Sequence, residues 1–318
     1  MGHTTCIFDL HCDTLTAFMD ASPQRQRETL NDPSHQFALC KVPQGVRWAQ
    51  CCAIFVPDEL KGVDAAAYYR LHRDNFYRQT TVLGTLVSPC RTAADIETAW
   101  NEGKFAAILT VENGSALSGQ LERVEELHRD GVRMMTLTWN GENELGSGQS
   151  SDHGLTSFGR EAVREMEKQG ILVDVSHLND TGFFDLLDTA QKPFVASHSN
   201  ARTICSHRRN LTDKQIREMV ERRCLIGLNY YSPFLRSDGK EAVLEDLWRH
   251  VAHFLELGAE NCLALGSDFD GADLPPCLDS AEKIARLGDY FQRRGLSPDL
   301  SEKILWCNAL SFLHVNLP

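Results

Sequence analysis

No apolar run in the chain approaches the roughly 18 residues that a bilayer-spanning helix requires, so no membrane segment is expected. Positive charge is also short. The 44 acidic residues outnumber 32 basic ones, and a net charge of −12 repels phosphate backbones, which argues against nucleic acid as a partner. No CxxC pair occurs, which removes the usual structural-zinc spacing. Neither GxGxxG nor GxxxxGK[ST] follows any apolar run, so a nucleotide-binding fold has little support. The N-terminal stretch Met1–Cys6 leads straight to Asp9, His11 and Asp13, without the basic, apolar and small-residue stages of a secretory signal. Phe312–Pro318 offers no long hydrophobic tail for a lipid anchor. Repeats, linkers and low-complexity tracts are missing too. The cysteines are plentiful at 11, but the count is odd. Cys6, Cys51, Cys52, Cys224 and Cys262 sit in apolar runs, where a reduced thiol behaves as a small hydrophobe. These absences lead to the expectation of a reduced, cytoplasmic protein in which residues 1–318 form one domain.

What is present is an alternation. Hydrophobic residues make up 42 % of the chain, enough for a sizeable core. Eight short runs rich in Ile, Val, Leu and Phe read as strands buried on both faces: Cys6–Cys12, Trp48–Val56, Phe105–Val111, Met134–Trp139, Ile171–Ser176, Phe194–Ser197, Leu225–Tyr231 and Cys262–Ser267. Between them lie segments of helical period. Leu121, Val124 and Leu127 precede a stop at Gly131, and a stripe from Val243 to Leu255 ends at Gly258. Thr212 and Gln215 have capping-box spacing ahead of Ile216, Met219 and Val220. Eight strands alternating with helices predict an α/β fold, a (β/α)8 TIM-like barrel. Two polar stretches, Thr14–Gly45 and Asn140–Gly154, follow strands and read as loops covering the mouth where barrel sites assemble.

The polar residues fall at one place in this pattern. His11 and Asp13 end the first run, Glu112 the third, His177 the fifth, His198 the sixth and Asp268 the eighth. A single histidine at a strand end is more often a hydrogen-bonded structural residue, and a single aspartate there is more often a turn former or helix cap. Six such residues at five strand ends are hard to obtain by accident, and a closed parallel barrel would bring them to one mouth. Imidazoles and carboxylates are ordinary zinc ligands. Two metals about 3.5–4 Å apart need a carboxylate between them, a part that Glu112 suits.

At these residues the sequence resembles the membrane dipeptidase (renal dipeptidase) family of zinc peptidases, within the amidohydrolase-like barrels. The matching segments are FDLHCDT at 8–14, TVENG at 110–114, GLTSFGREAV at 154–163, ILVDVSH at 171–177, ASHSNARTICSHRRNL at 196–211 and LGSDFDG at 265–271. They span nearly the whole chain in a consistent order. The resemblance implies two zinc ions per chain, bridged by Glu112 and a water or hydroxide. His11 and Asp13 would bind one, and His177 and His198 the other. It implies that Asp268 handles protons and that Arg209 holds the C-terminal carboxylate of a dipeptide substrate, Arg208 being a surface or structural cation. The guanidinium fork suits that task. The resemblance also allows a homodimer, with no interface identified.

One position departs from the family pattern. Where relatives carry a histidine after the fourth strand, thought to polarise the scissile carbonyl, this chain has Trp139 in Leu137-Thr-Trp-Asn140. Trp139 is expected to line the substrate site, with Asn140 or His153 as alternative carriers of the missing role. The expected reaction is metal-assisted hydrolysis of a dipeptide's amide bond. Cleavage of a lactam, a lactone or an N-acyl amino acid on the same site is the alternative within enzymes. A non-catalytic degenerate barrel would have lost ligands, and a histidine-type phosphoesterase would begin with His-x-His rather than the His11-x-Asp13 found here.

Overall fold

The computed structural model describes residues 5–17 and 28–317; residues 1–4, the 18–27 part of the first polar stretch, and Pro318 lie outside the described residues. Nine strands are described: β1 (Cys6–Cys12), β2 (Arg47–Phe55), β3 (Val87–Cys90), β4 (Phe105–Glu112), β5 (Met134–Thr136), β6 (Leu172–Asp174), β7 (Val195–Ala196), β8 (Leu225–Leu228) and β9 (Leu263–Leu265). Eight of them close into a parallel ring in the order β1-β2-β4-β5-β6-β7-β8-β9, with Asp9 of β1 in register with Leu265 of β9. The (β/α)8 barrel anticipated from the alternation is the fold of this chain.

The ninth strand, β3, stands outside the ring. It pairs with the first half of β4, from Val87↔Phe105 to Cys90↔Ile108, while β5 takes Thr110 and Val111 of the second half. Its sequence, Val-Ser-Pro-Cys, carries a proline that cannot donate to a ladder, so it suits only an edge and gives a weak strand signal. The later runs are shorter in the sheet than their apolar length suggested. Those from Met134, Ile171, Phe194 and Leu225 leave the ladder early, and their last residues become the loops of the mouth.

The helical signals hold. Thr212 Oγ1 accepts from Gln215 N (3.3 Å) and Gln215 Oε1 accepts from Thr212 N (2.7 Å), closing the capping box ahead of the helix Asp213–Glu221. The helix Leu244–Glu256 buries Leu247, Val251 and Phe254 and stops before Gly258, whose φ of 85° only glycine adopts cheaply. Arg123–Arg129 buries Val124 and Leu127, with Leu121 just before it.

Two apolar clusters fill the structure. The smaller contains Met134, Leu172, Val195 and Leu225, the first residues of β5 to β8, together with Ala309, Leu310 and Leu313 of the helix Asn308–Asn316. That end of the barrel is therefore plugged with hydrocarbon, which leaves the opposite end for polar chemistry. No helix among the described residues is long and apolar enough to cross a membrane.

Candidate metal centre

The six residues picked out at the ends of the apolar runs meet at one mouth. His11 Nε2 lies 3.2 Å from Asp13 Oδ2, 3.5 Å from Glu112 Oε2 and 4.0 Å from Asp268 Oδ1. The other oxygen of Glu112, Oε1, faces His177 Nε2 at 2.7 Å and His198 Nε2 at 3.8 Å. The two imidazoles meet at 3.0 Å between their Nε2 atoms. Donor atoms from three overlapping trios (His11/Asp13/Glu112, Glu112/His177/His198 and His11/His198/Asp268) lie within 4.8 Å of one another in each trio. All six residues picked out by their strand-end positions are thus brought together.

Backbone geometry aims them. His177 and Asp268 have φ of 75° and 65°, in the left-handed region that costs a non-glycine residue about 1–3 kcal/mol. Those kinks turn the two side chains back over the mouth instead of letting the chain run on. A Cβ on Gly271 would overlap the Asp13 and Asp268 carboxylates, so this loop can pass the cluster only without a side chain there.

Outer partners fix the ligand orientations. Ser197 Oγ lies 2.7 Å from His198 Nδ1, and Asn140 Oδ1 lies 3.3 Å from His177 Nδ1, leaving both Nε2 atoms to face the cluster. Asn229 Nδ2 donates to Asp268 Oδ2 at 3.0 Å. Beneath, Asp9 accepts from Gln50 Nε2 (2.8 Å), Ser267 Oγ (3.0 Å) and His11 N (3.1 Å), tying β1 to β2 and to the loop after β9. Asn229 stands just past the end of β8 and obeys the strand-end rule, but as a neutral amide it carries no metal-ligand or acid–base signal in the sequence. Ser197 carries no such signal, because neighbours of ligands are recognisable only once the ligands are placed.

The electrostatics describe a site suited to a cation. Burial and the neighbouring Glu112 charge push Asp13 up to about 7, and its Oδ1 has no hydrogen-bond partner. Burial would raise Glu112, but the His11 charge and the hydrogen bonds from His11 and His177 outweigh it and hold that carboxyl well below its ordinary value. Burial, aided by Arg209, pulls His177 down to about 4, and burial with the His11 charge pulls His198 well below its usual range. Neutral imidazoles whose Nε2 atoms converge beside repelling carboxylates are what a divalent cation requires. The donor set fits it.

A cavity of about 800 Å³ opens over the cluster, lined by Asp13, Glu112, His177 and Asp268 and walled by aromatic side chains. Arg209 is buried in that wall at 6 % exposure, its guanidinium carbon 5.4 Å above the Phe234 ring, and its Nε and Nη2 find no partner among the described residues. Arg208 instead pairs with Asp152 at the surface. Trp139 lines the cavity, with Phe55 edge-on to it at 4.9 Å. His153 lies away from the cavity, its side chain 82 % exposed and paired with Glu142. Asn140, through His177, is the nearer of the two alternatives. The polar stretches do cover the mouth where they are described: Thr16, Ser34 and Gln36 come from the first and Asn140 from the second.

With this geometry in place, comparison with known proteins decides the family. The model of the membrane dipeptidase family, peptidase family M19, matches residues 1–315. The chain belongs to that family. Among curated relatives, an uncharacterized protein of the pqqA 5′ region of Klebsiella pneumoniae is 31 % identical over 258 residues, 76 % of this chain and 95 % of the relative. Dipeptidase tcpJ of Claviceps purpurea is 26 % identical over 314 residues, 94 % of this chain and 73 % of the relative. Among solved structures, a metallo peptidase named dipeptidase AC superimposes with a TM-score of 0.93 at 27 % identity, covering 99 % of both chains. A metallo peptidase of Rhodobacter sphaeroides, liganded with a phosphinate mimic of the dipeptide L-Ala-D-Ala, gives 0.92 at 26 % identity over 99 % of this chain and 100 % of that one. The family resemblance read from the six segments is borne out across the chain.

Proposed function

We propose that this membrane dipeptidase family member hydrolyses the amide bond of dipeptides with two zinc ions. His11 and Asp13 would hold one, His177 and His198 the other, and Glu112 both. The observation that carries the reading is the division of Glu112: Oε2 faces His11 while Oε1 faces the two remaining histidines. When bound, the zinc pair supplies Lewis acidity toward the scissile carbonyl and lowers the pKa of a water at the site toward neutrality.

The chain's own groups do the rest. Asp268 is held through Oδ2 by Asn229, so Oδ1 is left facing the cluster to accept the attacking water's proton and return it to the leaving amine. Arg209, a buried cation with unpartnered N–H groups, pairs with the substrate's C-terminal carboxylate. That anchor restricts the substrate to two residues, since a third would move the carboxylate away from it. The binding of an L-Ala-D-Ala mimic by the Rhodobacter sphaeroides relative supports a dipeptide here. We read residues 1–318 as one domain, and the eleven free cysteines support a reducing, cytoplasmic setting.

The test is release of free amino acids from L,L-, L,D- and D,D-dipeptides by zinc-loaded and chelator-stripped protein. Cleavage that depends on zinc, with tripeptides and N-acetylated amino acids inert, is the expected result. Hydrolysis of N-acetylated amino acids but of no dipeptide would overturn the reading in favour of a wider amidohydrolase activity.

A further inference from the structure

The cavity has two aromatic corners, and the strand order sets them across the mouth from each other. Phe55 ends β2 and Trp139 follows β5, with β4 between those strands in the ring. Arg209 follows β7, and Tyr231 and Phe234 follow β8. In a closed ring of eight, the centre of β2-β4-β5 lies opposite β8. The metal-ligating cluster therefore sits between an anchoring side, where Arg209 stacks over Phe234, and a side whose wall is the Phe55–Trp139 pair.

That second wall carries no charge and is built to stay put. The two rings meet edge to face, 4.9 Å apart at 67°, the arrangement their quadrupoles favour. Trp139 reaches to 6.3 Å from the His177 ring. Both aromatics are half-buried although most of their strand neighbours are fully buried, and both line the cavity. The backbones behind them are clamped. Asp58 Oδ2 accepts from Gly141 N (2.7 Å), Asn113 Nδ2 donates to Val56 O (2.8 Å), and Asn143 Nδ2 donates to Leu137 O (2.7 Å). A Cβ on Gly148 would overlap the Trp139 carbonyl, so the covering loop is packed tightly against this residue from outside.

Resting on the dipeptidase reading, we infer that Phe55 and Trp139 form a specificity wall for the N-terminal residue of the substrate and select a large apolar or aromatic side chain there. A dipeptide anchored by its carboxylate at Arg209 must cross the cluster to reach its scissile bond, and its N-terminal side chain then arrives at the opposite wall. A rigid apolar surface rewards the burial of matching hydrocarbon and offers nothing to a charged or hydroxylated side chain. The cavity of about 800 Å³ leaves room for such a group. Discrimination between side chains that differ in apolar size is worth about 10- to 200-fold in an apolar site.

The experiment measures kcat/KM of the zinc-loaded full chain on Phe-Ala and Ala-Ala, and on Ala-Phe as a control for the other residue. The wild type is expected to prefer Phe-Ala over Ala-Ala by about tenfold or more. In Trp139→Ala and, separately, Phe55→Ala, that ratio is expected to fall by about tenfold, while the ratio of Ala-Phe to Ala-Ala moves less. Zinc content is measured alongside, and Trp139→Leu, which keeps an apolar side chain, is included in case Trp139→Ala does not fold. A Phe-Ala to Ala-Ala ratio near one in the wild type, or a ratio unmoved in folded, metal-loaded variants, overturns the inference and leaves the dipeptidase reading intact. Failure of the wild type on all three dipeptides would instead remove the reading on which the inference rests.

Discussion

The two sides of Glu112 solve opposite problems. On one side, His11, Asp13 and Asp268 crowd carboxylates together, and burial with mutual repulsion drives Asp13 up to about 7. On the other, His177 and His198 are imidazoles drained of charge by burial, His177 down to about 4. One side has more carboxylates than the single His11 imidazole can balance, and the other offers imidazole nitrogens. A single kind of ligand, a divalent cation, would satisfy both, and on the proposed reading Glu112 would lie between two of them. Neither half explains itself; each is an electrostatic imbalance that the same kind of ion would relieve.

The largest expected effect comes from removing the divide. Glu112→Gln withdraws the shared charge from both halves, so bound zinc should fall below two per chain and kcat/KM by about a thousandfold or more. Metal analysis with dipeptide kinetics checks it, and a variant with two zinc ions and near-normal rate would contradict the bridging role. The halves are then separated by Asp13→Asn and His198→Asn. Each is expected to lose one ion and keep the other, with activity down by roughly a hundredfold to a thousandfold. Loss of both ions from either variant would mean that the halves are not independent.

Asp268→Asn should retain both ions yet lower kcat by about 10²- to 10⁴-fold, the usual worth of a positioned acid–base group. Loss of zinc in that variant would move Asp268 from proton handling to metal binding. Arg209→Ala is expected to raise KM for dipeptides by about a hundredfold with zinc unchanged, the scale of a lost charge-assisted pair. A KM that stays put while the protein unfolds would make the guanidinium structural.

The smallest effect lies outside the cluster and sharpens the contrast. His250 is another buried imidazole, held by burial at about 4, but it is satisfied within the chain, accepting from Ala201 N at 3.1 Å and facing Leu235 O at 3.1 Å. Its folded pKa lies below the unfolded value of about 6.5. The unfolded state therefore binds more protons between those values, and stability falls as pH drops through that window. Between pH 7.5 and 5 the group should contribute roughly 2 kcal/mol of lost stability. Urea unfolding of wild type and His250→Gln at both pH values checks it, the variant showing the shallower dependence.

Much of this was legible in the residues. β1 runs over the expected Cys6–Cys12, because this short segment with Ile7, Phe8 and Leu10 carries no helical period to compete with a strand. The Thr212 capping box formed because its donors are local. Legibility failed where pairing is long-range. β3 was invisible, being four residues with a proline, and β7 keeps only Val195 and Ala196 in the ladder. Asn229 and Ser197 matter through what they touch, which no local pattern records. His153 shows the reverse: its residue type suited the site, but its loop carries it into solvent.

By itself, then, the sequence determined which residue types end which strands, since hydrophobic periodicity and the switch to polar residues are local properties of the chain. Closure of the ring decided the rest. It alone made β9 a neighbour of β1, divided the two oxygens of Glu112 between His11 and the pair His177–His198, and set the Phe55–Trp139 pair across the mouth from the β8 side, where Arg209 stacks over Phe234. Those relations join residues far apart along the chain, and they exist only where parallel strands converge on one end.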